Sequence, residues 1–288
     1  MHIDSFFACS NSTFEDAEFI IFGIPFDATQ SFKPGSRFAP TAIREASWNL
    51  ENYSIYFDFD LDFAKICDAG NVNVDGNFER VVKNVSEFLD KVDPNRQIPI
   101  GLGGEHTVTY AILNGLNMDL SEICYIAFDA HFDLRDEFDD DRFNHACTAR
   151  RIFELGVEEM VLIGVRSGTK EERIFAKENG IKFFHPWQKF DDILVEVKKI
   201  VDDRPIYLSI DMDVFDPAFA PGVSTPEPFG LNPAVMLRFF EIFSYNVLAL
   251  DIVEVVPDAE KITPTLAAKF IFEFIASKMS QSGAHLSR

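Results

Sequence analysis

The chain has 288 residues, 47% hydrophobic and 25% charged, an ordinary balance for a protein able to bury a substantial core. Its formal net charge of −21 argues against nucleic-acid and anionic-membrane partners, which need basic patches, and suits cationic substrates and metals. No apolar run reaches the length of a membrane span, Met1-His2-Ile3-Asp4 does not open a signal peptide, and four scattered cysteines without paired spacing suit a reducing cytoplasm.

In chain order, residues 18–24 read as a first buried strand stopped by Pro25, and a Gly/Pro-containing loop over 26–40 leads into a helix at 41–49. A short strand at 65–67 ends at Asp68-Ala69-Gly70. Residues 78–92 space Val81, Val82, Val85, Phe88, Leu89 and Val92 as one apolar helix face. Strand-like runs then recur at 97–101, 123–128, 160–165, 181–184, 206–210 and 246–253, mostly with helical patterns between them, and a final helix covers 264–279. Continuous apolar strands alternating with helices predict a parallel sheet covered on both faces. With no Ser/Gly-rich linker and no internal repeat, residues 1–288 read as a single domain. The 31 Phe are expected in the core, and Cys67 and Cys124, in strand patterns, as buried free thiols.

In such folds ligands bind beyond the carboxyl ends of the strands, and five polar clusters fall there. Gly101-Leu102-Gly103-Gly104-Glu105-His106-Thr107 follows a strand and places His106 at a helix start, as a cap, a packing residue or a ligand; the turn lacks the Lys-Ser/Thr of a P-loop. In Asp129-Ala130-His131-Phe132-Asp133, continued extension would set Asp129, His131 and Asp133 on one face. Asp211 and Asp213 repeat that spacing after the strand at 206–210. Either acidic pair alone could be a solvated loop, but buried strands feed both. Together His106, His131, Asp129, Asp133, Asp211 and Asp213 offer two imidazoles and four carboxylates, a set costly to bury bare. One catalytic metal takes about three protein ligands, so the set suggests two metals sharing carboxylates. Oxygen-rich ligation without thiolate favours Mn²⁺, with Zn²⁺, Fe²⁺ and Co²⁺ as alternatives. His145, after the acidic loop over 136–141, is either an acid/base group or a helix-start residue. Glu254 ends the strand at 246–253, where it is either incidental or a carboxylate facing a cationic substrate.

These motifs resemble the ureohydrolase (arginase/agmatinase) family over nearly the whole chain. Gly103-Gly104-Glu105-His106, Asp129-Ala130-His131-Phe132-Asp133 and Ser209-Ile210-Asp211-Met212-Asp213-Val214-Phe215-Asp216-Pro217 are similar to its three metal motifs. Residues 23–27, 164–167 and 221–230 are similar to further family segments. The resemblance implies a three-layer α/β/α fold around an eight-stranded, mostly parallel sheet, with two Mn²⁺ per subunit. His106, Asp129, Asp133 and Asp211 would hold one ion; His131, Asp129, Asp211 and Asp213 would hold the other. A metal-bridging hydroxide would attack a guanidinium carbon, oriented by Asp133, with His145 as proton shuttle and Glu254 binding the guanidinium group. Glu105 stands where many members carry Asp, and Cys147 lies beside the shuttle. Members are commonly trimers or hexamers, so a homo-oligomer is implied.

Within the family the acidic loop favours agmatinase, the cytoplasmic hydrolysis of agmatine to putrescine and urea in polyamine biosynthesis. The loop would repel an amino-acid carboxylate, and residues near 139–141 would hold the primary amine. Arginase, guanidinobutyrase and formiminoglutamase are the alternatives, ranked lower because Arg142 is the one basic residue expected near that loop. Less favoured are a mononuclear zinc deacetylase and a non-catalytic metal-binding homologue.

Overall fold

In the computed structural model, which describes residues 6–282, the apolar runs are strands and the amphipathic runs between them are helices. The first half holds β1 (Phe19–Gly23), α1 (Ala39–Ser47), β2 (Tyr53–Ser54), β3 (Phe59–Asp60), β4 (Ile66–Asn71), α2 (Phe78–Leu89), β5 (Ile98–Leu102), α3 (Thr107–Gly115) and β6 (Cys124–Phe128). The second half adds α4 (Thr148–Glu154), β7 (Glu159–Ile163), α5 (Lys170–Glu178), β8 (Lys182–Phe184), α6 (Phe190–Val201), β9 (Ile206–Asp211), α7 (Val235–Phe243), β10 (Val247–Val253) and α8 (Ile262–Gln281).

Eight strands form one parallel sheet in the order β4-β1-β5-β10-β9-β6-β7-β8. The pleat divides each apolar run between two cores: Cys124, Ile126 and Phe128 of β6 face the layer of α1, α6, α7 and α8, while Tyr125 and Ala127 face α2 to α5. This is the three-layer α/β/α architecture expected. Many of the phenylalanines fill the first core, where Phe240 of α7 meets Phe270 and Phe274 of α8 edge-on or tilted.

The strand order positions the site. After β5 the chain crosses to β6 and builds outward to β8, then returns to fill the gap with β9 and β10. The carboxyl ends of β5, β10, β9 and β6 therefore lie side by side where the winding reverses, the crevice in which open α/β sheets bind ligands.

Three local readings need correction. β4 does not stop at Cys67 but runs through Asp68 and Gly70 to Asn71. Turn-like residues stay in the strand there because Arg44 clamps Asp68 bidentately at 2.7 and 2.9 Å, both side chains almost wholly buried, and also bonds Gly70 O and Asn71 Oδ1. Cys67 is half-buried on this edge strand, while Cys124 is buried as expected, and both are free thiols. The two-residue hairpin strands β2 and β3 carry too short a pattern to be predicted.

Candidate metal centre and active site

The candidate residues come from the four central strand ends. A Cβ on Gly104 would lie 1.9 Å from Phe26 O, so only glycine lets the turn after β5 pass this closely. The turn is tied by Glu105 N to Phe26 O and Glu254 N to Gly104 O, and it delivers His106 to the start of α3. Asp129 follows β6 directly, its N–H held by Ile163 O. Asp211 is the last residue of β9, and its Oδ1 accepts from Asp213 N at 2.9 Å to open a 3-10 turn.

Two expectations of pleat geometry fail while their outcome holds. β6 ends at Phe128, and Asp133 adopts φ 51°, so no extended segment joins Asp129 to Asp133. Likewise residues 212–214 are 3-10 rather than strand. Loops, not strand alternation, turn these carboxylates together. Glu254, at φ 63°, is the second candidate site residue with left-handed backbone, and such backbone cost gathers at functional sites.

His106 Nδ1 lies 3.2 Å from Asp129 Oδ2, 3.0 Å from Asp133 Oδ2 and 3.4 Å from Asp211 Oδ2. His131 Nδ1 lies 3.5 Å from Asp129 Oδ1 and 3.1 Å from Asp213 Oδ2. Two ligand clusters result, His106 with Asp129 and Asp133, and Asp129 with His131 and Asp213, so Asp129 is common to both. Asp211 joins the first through its 3.4 Å approach to His106.

These residues fit a pair of divalent cations. His106 Nδ1 is buried and, despite three carboxylates nearby, makes no hydrogen bond. Its other nitrogen, Nε2, lies 3.2 Å from Ser209 Oγ, which donates at 2.6 Å to buried Asp251, itself bonded by Tyr207 OH. With the Ser209 proton committed to Asp251, Nε2 carries the ring proton, and the Nδ1 lone pair points at the carboxylates as a metal ligand requires. Electrostatics agree. Burial pushes the Asp133 carboxyl up to about 7, helped by the charge of Asp129, and burial with Asp213 and Asp129 raises Asp211 well above the carboxylate range. Burial opposes charge on His106 and His131, yet Asp129 with Asp133, and Asp213 with Asp129, outweigh it and raise both imidazoles well above their usual value. The carboxylates thus favour positive charge at the two imidazoles, the charge that bound divalent cations would supply in place of protons.

A cleft of about 270 Å³ meets this cluster at His131 and Asp133 and is lined further by His145, Arg135, Phe138 and Glu172 among others. Burial holds His145 below the usual imidazole range, against the charge of Glu254. Glu254 accepts from His106 N at 2.7 Å through Oε1 and from Gln30 Nε2 at 2.7 Å through Oε2. The cleft differs from expectation at its outer end. Asp139, Asp140 and Asp141 do not line it; Phe138 of the same loop does, in T-shaped contact with His145. Arg142, the basic residue expected there, points away to Asp136 and Glu154. Arg135 is the cation on the wall, over the Phe138 ring and 3.8 Å from Glu172. Cys147 is buried behind the cleft, its thiol pushed up to about 12 by burial.

Sequence reasoning missed Thr29, Gln30 and Ser31, which reach His145 and Glu254 from the loop after β1. It also gave no role to Ser209 and Asp251, though polar residues inside otherwise apolar strands were a visible signal.

The arginase family model matches residues 17–276. The chain belongs to the arginase family. It is thereby a hydrolase of the ureohydrolase type. An agmatinase of Pyrococcus horikoshii is 42% identical over 91% of this chain and 92% of its own length. The N(1)-aminopropylagmatine ureohydrolase of Thermococcus kodakarensis is 41% identical over 91% of each chain. Among solved structures, the agmatine ureohydrolase of Thermoplasma volcanium superposes with a TM-score of 0.91 at 35% identity, covering 99% of this chain and 98% of that one.

Proposed function

We propose that this ureohydrolase cleaves agmatine to putrescine and urea with two manganese ions. The observation that carries the reading is the pair of ligand clusters sharing Asp129 at the base of the cleft, in a chain whose relatives are named for agmatine hydrolysis. His106, Asp129, Asp133 and Asp211 would hold one ion, and His131, Asp129, Asp211 and Asp213 the other. Bound there, such a pair acidifies water, so that hydroxide is available at neutral pH.

The remaining chemistry belongs to the side chains. Asp133, which lines the cleft beside the proposed ions, is suited to accept a proton from the attacking water and pass it to the departing amine. His145, neutral through burial, is suited to carry a proton between the cleft and solvent. Glu254 has both oxygens fixed by hydrogen bonds and keeps lone pairs for a guanidinium. The Phe138 ring offers an apolar wall to the alkyl tail, while Glu172 is committed to Leu134 N, Thr169 N and Arg135. This assigns the tail to the cleft wall instead of to the acids at 139–141.

A second reading is agmatine carrying an aminopropyl extension, because the Thermococcus relative matches at nearly the same identity as the Pyrococcus one. The test is urea release with Mn²⁺ over agmatine, N(1)-aminopropylagmatine, arginine, guanidinobutyrate and formiminoglutamate. Agmatine is expected to have the highest kcat/KM. Higher turnover of the extended amine selects the second reading, and turnover of arginine with agmatine inert refutes both.

A further inference from the structure

The loop between β1 and α1 is pinned across its base: Asp27 pairs with the Arg37 side chain and accepts from Gly35 N at 2.9 Å and Arg37 N at 3.2 Å. From this fixed frame Thr29 reaches two elements. Its N–H donates to Glu105 Oε2 at 2.7 Å and its hydroxyl to Glu105 Oε1 at 2.9 Å. The same hydroxyl oxygen accepts from His145 N at 3.0 Å and lies 3.1 Å from His145 Nδ1.

A threonine hydroxyl has one proton. Given to the Glu105 carboxylate, as at alkaline pH, it leaves only lone pairs toward the ring, so His145 Nδ1 carries the ring proton. The free lone pair then sits on Nε2, 3.3 Å from Ser31 Oγ. His145 lines the cleft together with His131 and Asp133. We propose that Thr29 is a positioning residue that locks His145 in the Nδ1–H tautomer and so keeps Nε2 as the atom that takes up and releases the proton. A swapped tautomer would put the acceptor nitrogen against Thr29, away from Ser31.

This inference rests on the hydrolytic reading above, with His145 as proton carrier, but its first readout does not need turnover. The ring nitrogens of the ¹⁵N-labelled full chain, free of paramagnetic ions at pH 9, report the tautomer of each of the six histidines, with His145→Asn assigning the signal. Wild type is expected to show Nδ1–H at His145, and Thr29→Val, which keeps the backbone N–H to Glu105, to show mixed or Nε2–H tautomers. In the manganese enzyme, Thr29→Val is expected to lose about 10–100-fold in kcat with KM within about threefold, as for impaired acid–base transfer. Thr29→Ser restores both readouts. A wild-type Nε2–H signal, or Thr29→Val with unchanged tautomer and kcat, overturns the proposal, and the wild-type signal decides even if Thr29→Val does not fold. A wild type that releases no urea from any guanidine removes the hydrolytic reading instead.

Discussion

Asp251 touches none of the proposed metal ligands, yet its charge decides which nitrogen of His106 is free. Its Oδ1 takes the Ser209 proton at 2.6 Å, and Ser209 in turn faces His106 Nε2 at 3.2 Å. Asp251→Asn is isosteric, and with the amide nitrogen toward Ser209 the hydroxyl proton is released toward His106 Nε2 at 3.2 Å, with Thr109 Oγ1 at 3.3 Å as the competing acceptor. The ring proton then moves to Nδ1, 3.0–3.4 Å from Asp129, Asp133 and Asp211, and occupies the lone pair meant for the ion. Losing such an outer partner costs about 10–100-fold in metal affinity, or about 1.4–2.7 kcal/mol. The assay is Mn²⁺ titration of the metal-free chain by calorimetry, with circular dichroism showing that the fold persists. Mn²⁺ affinity within twofold of wild type would refute the reasoning.

Chelation of divalent ions is expected to abolish urea release and Mn²⁺ to restore it; Mn²⁺ at about 100 times its Kd should add about 2.7 kcal/mol to unfolding stability, seen as a higher Tm. Asp68→Asn strands the buried Arg44 guanidinium and should cost about 3–5 kcal/mol in urea denaturation. Burial raises the Glu105 carboxyl from 4.5 to about 7, so across that window the folded chain keeps a proton the unfolded chain has released. Stability should therefore fall as pH rises through the window, and Glu105→Gln should flatten that slope in denaturation midpoints taken at pH 5 and pH 8; an unchanged slope would contradict the burial effect.

Much of this molecule is legible without coordinates. Strands buried on both faces leave continuous apolar runs, which is why β1, β5, β6, β7, β9 and β10 fall close to their predicted positions. The proposed ligand set was legible because chemistry constrains residue type: His106, Asp129, His131, Asp133, Asp211 and Asp213 all sit where apolar strands end, and four carboxylates there call for cations. The resemblance to the ureohydrolases rests on those same residues.

The manner of their convergence lies outside any local pattern. Asp133 reaches His106 through a left-handed backbone whose carbonyl accepts from Arg150 N of α4, and Asp213 reaches His131 through a 3-10 turn and accepts from Ala130 N, so neither depends on pleat alternation. β4 continues through Asp68 because Arg44, 24 residues earlier, neutralises it. The loop at 139–141 has the charge to bind an amine but not the place, while Arg135, Phe138 and Glu172 meet only after folding. Sequence alone singled out the side chains proposed to carry the chemistry, since charge and ligand type are properties of residues. Tertiary structure decided which atoms are free to act, since the proton on Ser209 or Thr29 is assigned by partners distant along the chain.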